Sequence, residues 1–547
     1  MGKFNTKHES VKPTVVNCMG EQAFKLNAKE ELVSTVLTTF LQDSYYEKED
    51  EIVERIKNAS EKVDPLFVAK LALYARNEGN LRSVTHLLSS VISKRISGQE
   101  WGKRFYDKIV VRPDDISEIL SAYAVENGMD LKNIRKIPNA MKKGFKSALE
   151  RFDAYQIDKY KMNKREVSLI DIVNLLHPSP TQKNQEAYKR LIENKSLSDL
   201  YSSKILEKEM SQVGKKVTED KTASELKEEA ITEVLSNVKG MPLMNLIRNL
   251  RNIIKYAPSQ VDEACRQMTI PDKVLKSRLL PFRFATAYSE VESMTDSYTA
   301  KSAIQFEEEN KSGYAFSELK QKVLNALEKA IEISCQNIPK LDGNVAILVD
   351  HSGSVRGDGG GSSKVSAFSK TTTAMIGNLF ATMLTYAQDN VYIGLFGDRL
   401  IPVKIDRNKG ILKANRDSFE EGAKCGGGTE TGIYDFLRLC INEKKKVDNL
   451  VVFSDCQIGS NASTSWYGRY RTDRSLRFQE LFKEFKKINP LCNVIVVDIR
   501  QTKGNNVFHK SQRILNIAGW STNIFDVIKS NCKGYDALIK EIEKIEI

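Results

Sequence analysis

Histidine is scarce in this chain, five in 547 residues, and none stands in a pattern with a serine or cysteine nucleophile and an orienting acid. His8 and His509 lie in polar, loop-like stretches. The usual general base of nucleophilic hydrolysis is therefore missing, and the sequence gives no support for catalysis. Paired cysteines are also missing. The eight cysteines, at positions 18, 265, 335, 425, 440, 456, 492 and 532, form no C-x-x-C and no compact framework. That argues against a zinc knuckle or a disulfide scaffold and for reduced, buried thiols. No apolar run approaches the ~20 residues of a membrane span. The polar start, Met1-Gly-Lys-Phe-Asn-Thr-Lys-His8, lacks the apolar core of a signal peptide, so a cytoplasmic protein without a membrane partner is expected. Met1-Gly2-x-x-x-Thr6 formally fits a myristoylation pattern, one that six residues often meet by chance. The glycine cluster Gly357–Lys364 has no glycine directly before its lysine, so it is no phosphate-cradling P-loop and reads as an insertion.

What is present divides the chain in two. At 61.8 kDa it exceeds what one hydrophobic core normally supports. From about Lys29 to Cys335, apolar residues recur every three or four positions, as in Leu243-x-x-Leu246-Ile247-x-x-Leu250. This predicts ten or more amphipathic helices and no strands. So long a run of helices is easier to build as a stacked, curved array than as one bundle. Beyond Pro339 short apolar runs alternate with helical patterns. Strands are predicted over Val345–Asp350, Val391–Phe396, Leu450–Asp455 and Asn493–Ile499, with a long helix over Ser366–Gln388. The fold class is thus α plus α/β, with a doubly wound parallel sheet at the C-terminal end.

The sheet supplies a candidate site. Ligands of such sheets sit at the carboxyl ends of strands. Two predicted strands end there in aspartates: Asp350, followed by Ser352 and Ser354, and Asp455. Between them lies the loop Gly426-Gly-Gly-Thr429. Asp350, Ser352, Ser354, Thr429 and Asp455 offer two carboxylates and three hydroxyls, a donor set suited to Mg²⁺, which takes roughly six oxygens at about 2.1 Å and keeps several waters. The bland reading is serine caps and a turn aspartate; three loops in register favour a divalent-cation cup. Alternation along the strand predicts that His351 turns outward.

The positive charge is concentrated. Lysine and arginine number 83 against 71 acids, a net charge of +12. Eleven of those cations lie between Leu131 and Arg165, among them Lys142, Lys143, Lys146, Lys159, Lys161, Lys164 and Arg165, against three acids. Such a run is usually a solvated helix face. Here Phe145, Tyr155 and Tyr160 interleave with it as stacking planes for unpaired bases, and Asn174 and His177 follow one turn apart, so RNA contact is the sharper reading.

These features together resemble a known family. The segments Asn17-Cys-Met-Gly20, Leu37–Tyr46, Ala72–Arg76, Arg112–Asp115, Ile137–Lys146, Asp158–Lys161, Leu176–Pro178 and Leu246–Leu250 look like a TROVE module. Followed by the cup motif of a von Willebrand factor A domain, they resemble the Ro autoantigen family over nearly the full length. The resemblance implies a tail over 1–15, a TROVE-like RNA-binding domain over 16–338 and an A domain over 339–547. It implies a ring of HEAT-like helical repeats closed by the A domain, with the cup acting as a metal-ion-dependent adhesion site open to an acidic residue of a partner. It further implies a monomeric, non-catalytic ribonucleoprotein that holds small noncoding Y RNA on a basic outer surface. Single-stranded 3′ ends of misfolded RNA would enter a central hole, with an exoribonuclease as a partner in RNA quality control. Lys159, Lys161 and His177 match the family's Y RNA-contacting positions, and either Lys164 or Arg165 matches the next. A glycine-tryptophan of many relatives is absent here. The alternative is a metal-dependent protein-binding scaffold with no specific RNA role. Whether the lysine-rich stretch 208–227 is a helix pair or a loop stays open.

Overall fold

The structure, a computed structural model, describes residues 15–16, 22–23, 27–38, 49–79, 81–131, 134, 136–162, 165–201, 235, 238–279, 281–294, 316–338, 340–357, 372–428, 432–455, 478–499, 508, 513–518, 525, 528 and 535–547. The stretch 208–227 lies outside them.

Among the described residues the first part is helical, with one exception. A two-residue antiparallel pair, β1 (Val15–Val16) and β2 (Gln22–Ala23), precedes the first helix, where no strand was predicted. Helix starts follow local chemistry. Asp64 accepts the Phe67 N–H ahead of Pro65, and Asp153 with Gln156 and Ser168 with Asp171 form reciprocal capping boxes. Helix Gly102–Ile109 lies very close to helix Asn139–Leu149, and Gly144 allows it. A Cβ there would stand 2.4 Å from Tyr106 Cβ and 2.7 Å from the Lys103 carbonyl oxygen. Gly144→Val should therefore cost about 1–3 kcal/mol by overpacking. A lowered denaturation midpoint, with Lys143→Ala on the exposed face leaving it unmoved, is the check.

One polar knot lies inside the helices. Asp115, in the first turn of helix Pro113–Glu126, is 0% exposed. It accepts from Arg76 at 2.8 Å, Arg82 at 2.9 Å, His86 Nε2 at 3.1 Å, and the backbone N–H groups of Val111 and Arg112 at 3.0 and 2.9 Å. Helices Pro65–Asn77, Ser83–Val91 and Pro113–Glu126 are thereby pinned to one carboxylate.

The second part is a six-stranded sheet in the order β5-β4-β3-β6-β7-β8. The strands are β3 (Val345–Asp350), β4 (Val391–Phe396), β5 (Leu400–Val403), β6 (Asn449–Ser454), β7 (Asn493–Asp498) and β8 (Ile514–Ala518). All pairs are parallel except β4 with β5. Alternation divides β3 between two cores. Ile347 and Val349 join the core shared with helix Thr373–Ala387 and the helical array, while Ala346 and Leu348 join a second core under helices Gly432–Asn442 and Phe478–Ile488. Burial on both faces is why β3 reads as an unbroken apolar run.

The sheet domain touches both ends of the helical array. Phe282 packs on Phe380 at a centroid distance of 6.1 Å, at the late end. At the early end, helix Ala28–Thr38 packs on β8 and helix Tyr535–Glu543 on helix Pro65–Asn77. Four cations fasten that seam: Lys29 to the Glu543 carboxylate at 2.6 Å, Lys70 to the Glu543 carbonyl at 2.5 Å, Lys108 to the Glu546 carbonyl and Arg104 to the Ile547 carbonyl at 3.0 Å each. The array is closed back on itself through the sheet domain. Among the described residues no helix is long and apolar enough to cross a membrane.

Candidate functional site

The cup is built where β3 and β6, adjacent in the sheet, both end. Asp350 is the last residue of β3, and Asp455 directly follows β6. Both are buried, at 2% and 0% exposure. Asp350 accepts the Ser352 N–H at 2.9 Å through one oxygen and the Ser454 hydroxyl at 2.6 Å through the other. Ser352 and Ser354 hydroxyls lie 3.2 Å apart, and Ser354 donates to Asp455 at 2.6 Å. The glycine loop is stitched to this assembly, since Gly353 N–H donates to the Gly427 carbonyl at 2.9 Å. Four of the five predicted cup residues thus lie together, and the fifth, Thr429, lies outside the described residues.

The electrostatics of the cup follow from burial. Desolvation, and then the charge of Asp455, push the Asp350 carboxyl up to about 7. A divalent cation placed beside these two carboxylates would reverse that cost. Among the described residues, no cluster of three histidine, cysteine, aspartate or glutamate side chains forms a metal centre. Any cation here would lean on hydroxyls and water, as the donor set fits.

Two residues at this edge have roles that the sequence did not disclose. Asp398, two positions beyond the end of β4, accepts the Gly428 N–H at 3.0 Å and so holds the glycine loop. Gly426 passes over it with φ +87°, where a Cβ would meet the Asp398 carboxylate at 2.3 Å. His351 does not turn outward. It is 0% exposed because Gly422 makes room for its ring, where a Cβ would fall 1.9 Å from Nδ1. Arg356 can only donate, and it reaches His351 Nδ1 at 2.8 Å, so Nε2 carries the proton facing Asn378 Oδ1 at 3.3 Å. Burial, then the Arg356 charge, lowers this imidazole to about 3.

The basic segment occupies helices Asn139–Leu149 and Ala154–Lys159 and their links. On helix Asn139–Leu149, Lys142 and Lys143 are exposed and Lys146 is half-exposed. The opposite face, Met141, Phe145 and Ala148, is buried. Phe145 is therefore core, edge-on to Tyr106 at 5.3 Å, and not the stacking plane that the sequence suggested. Tyr155 and Tyr160 are half-exposed, but both already have cations on them: Lys159 lies 5.4 Å from the Tyr155 ring and Arg112 lies 4.3 Å from the Tyr160 ring. Tyr155 also meets Tyr201 edge-on at 5.4 Å. Lys161 pairs with buried Asp158 at 2.7 Å, so part of the local charge is spent internally.

Beyond this, Leu169 N–H donates to the Lys161 carbonyl at 3.0 Å, fixing Lys161 to the start of helix Leu169–Leu176. His177 sits at its other end, roughly 12 Å away at the helical rise per residue. It is exposed and left-handed, φ 47°, as the C-cap, one residue past the helix that carries exposed Asn174. Met162, φ 55°, is likewise left-handed. Such backbone in residues with a Cβ persists only where the surroundings hold it. Arg165 is exposed, and Lys164 lies outside the described residues. Helices Asn139–Leu149 and Leu169–Leu176 touch; the exposed cations Lys142 and Lys143 lie on the first, and Arg165 and His177 flank the second.

Residues 20–233 match the family model of the TROVE domain. A stretch of 112 residues, 20% of this chain, is 26% identical to telomerase protein component 1 of Rattus norvegicus, and 102 residues are 28% identical to that of Mus musculus. Each match spans only 4% of the relative's length. The fold is similar to the crystal structure of the Deinococcus radiodurans RO (RSR) protein, with a TM-score of 0.58 over 92% of this chain and 99% of that one, at 13% identity. Residues 20–233 are thus similar to the TROVE domain, in a chain whose fold is similar to that of the RO protein.

Proposed function

We propose that this protein is a non-catalytic RNA-binding protein of the Ro type. On this reading it holds a Y RNA on the basic region and admits single-stranded 3′ ends of misfolded RNA to a central hole, in the cytoplasm, as a monomer that works with an exoribonuclease. The observation that carries the reading is the set of exposed cations Lys142, Lys143 and Arg165 with His177, carried on or flanking two touching helices inside the stretch matched to the TROVE domain. Lysines and arginines neutralise phosphates, which gives affinity with little dependence on sequence.

Asp350, Ser352, Ser354 and Asp455, with Thr429, would hold a Mg²⁺ ion, which would offer one open position to an acidic residue of a partner. The buried, internally bonded cup favours a second reading, a metal-dependent protein-binding scaffold. One experiment separates them: binding to a structured RNA with a single-stranded 3′ tail and to a blunt duplex across a salt series. Lys142→Glu/Lys143→Glu/Arg165→Glu is the informative variant, because none of these residues supports an internal ion pair among the described residues. The tailed RNA should bind more tightly, with a log–log salt slope of about −0.7 to −0.9 per neutralised phosphate. The variant should lose roughly tenfold or more at ~0.1 M salt and show a shallower slope. Salt-indifferent binding, or a variant that binds normally, leaves the scaffold reading in place.

A further inference from the structure

A cavity of about 280 Å³ lies between helices Leu243–Arg248, Leu250–Tyr256 and Pro281–Glu292, lined by no residue of the basic segment or the cup. Its floor is apolar: Met244, Ile247, Leu250, Ala287 and Val291. Its rim is cationic. Arg251 is matched by Glu290 at 3.1 Å, and Glu290 is the one acid in the lining. Arg248 and Arg283 remain, and among the described residues neither pairs with a carboxylate.

Two guanidiniums at one mouth repel each other, and the arrangement is relieved by an anion bridging them. Arg283 has a side chain that reaches the surface, yet its guanidinium is crowded by protein; that desolvation, then the Arg248 charge, holds it below its ordinary value. The Phe282 ring lies 5.1 Å from it and steadies its plane. Arginine forks fit phosphate oxygens in pairs, which lysine does not do. An apolar floor beneath such a rim fits a planar ring joined to a phosphate, and the volume admits one small molecule.

We propose that this cavity binds a nucleoside monophosphate unit, the base on the Met244–Ile247–Val291 floor and the phosphate between Arg248 and Arg283. The unit is either a free mononucleotide or a residue of an RNA strand. The inference stands apart from the basic-surface reading, because it uses none of the same residues.

The test is titration of the full chain with adenosine 5′-monophosphate, adenosine and inorganic phosphate by calorimetry or fluorescence. The monophosphate should bind at least roughly tenfold more tightly than either fragment, the loss expected when a charge-assisted bond or the apolar contact is removed. Arg248→Ala and Arg283→Ala should each weaken it by a similar factor. Arg248→Lys, which keeps the charge and the fold but not the fork, should restore only part. Lys142→Glu/Lys143→Glu should leave it unchanged, so failure of the RNA reading would not be mistaken for failure here. Displacement of the monophosphate by a short single-stranded RNA, lost in the arginine variants, would assign the unit to a strand; indifference to RNA would assign it to a free nucleotide, and either supports the site. Equal affinity for adenosine and its monophosphate, or arginine variants that bind normally, would overturn it.

Discussion

Asp115→Ala should be among the most damaging single substitutions in the helical part, lowering stability by about 3–5 kcal/mol, the range for breaking a buried ion pair by removing one partner. The loss goes beyond one bond. Arg76, 6% exposed, would keep its charge inside the protein without a counterion, and the N–H groups of Val111 and Arg112 would lose their acceptor. A fall of the thermal midpoint by roughly 5–10 °C is the expected reading. Acid titration gives a second one. Burial alone would raise the Asp115 carboxyl, but the hydrogen bonds from His86 and Arg76 outweigh it and hold the group well below the usual carboxylate range. A depressed carboxylate stabilises the fold fully above its unfolded pKa of ~3.9 and loses that contribution as pH falls below it. Asp115→Asn should therefore be less stable than the parent at neutral pH, and the gap should narrow below about pH 4. A gap that stays constant into acid would mean that the knot is held by shape and not by charge.

The second large effect concerns the cup. Saturating Mg²⁺ should raise the thermal stability of the whole chain, by about 2.7 kcal/mol at a hundred times the dissociation constant, and a chelator should remove the gain. Asp350→Asn should abolish the response. Without added cation the same variant should match or exceed the parent, because it removes one of two buried carboxylates that repel each other. An undiminished Mg²⁺ response in the variant would place the ion elsewhere. A variant that is far less stable than the parent in chelator would make Asp350 a structural hub first, through its bonds to Ser352 and Ser454.

Legibility in the sequence depended on how each residue's environment is set. β3, β4, β6 and β7 could be read because both faces of a central parallel strand are buried. β5 could not: Leu400-Ile-Pro-Val403 is short, partly exposed, and carries a proline that only an edge strand tolerates. β8, at the other edge, finds a partner in helix Ala28–Thr38, nearly 500 positions earlier, which no local pattern reports. The cup was found because strand ends deliver side chains to one edge. Asp398 obeys the same rule at the end of β4, but outside an Asp-x-Ser pattern it gave no motif to notice. Phe145 was misread although the signal was there, for it lies one turn from Met141 and from Ala148 on a single buried stripe. Arg76 and Asp115 were both in segments that carried the family resemblance, yet their pairing across 39 positions shows only in three dimensions.

The seam that joins the first helices to the last residues has a consequence for how the chain reaches its fold. Its hydrogen bonds connect residues separated by 514, 473, 443 and 438 positions. Partners this far apart in sequence can meet only once the whole stretch between them has been made. The wait is cheap in equilibrium terms, because loop-closure entropy grows only logarithmically and each doubling of length adds about 0.6 kcal/mol. It is expensive in time, since long-range contacts are rewarded late. Until Lys29, Lys70, Arg104 and Lys108 meet residues 543–547, the early helices hold a cationic edge open to other acidic chains, and refolding at moderate salt should proceed with less cross-association than refolding at low salt.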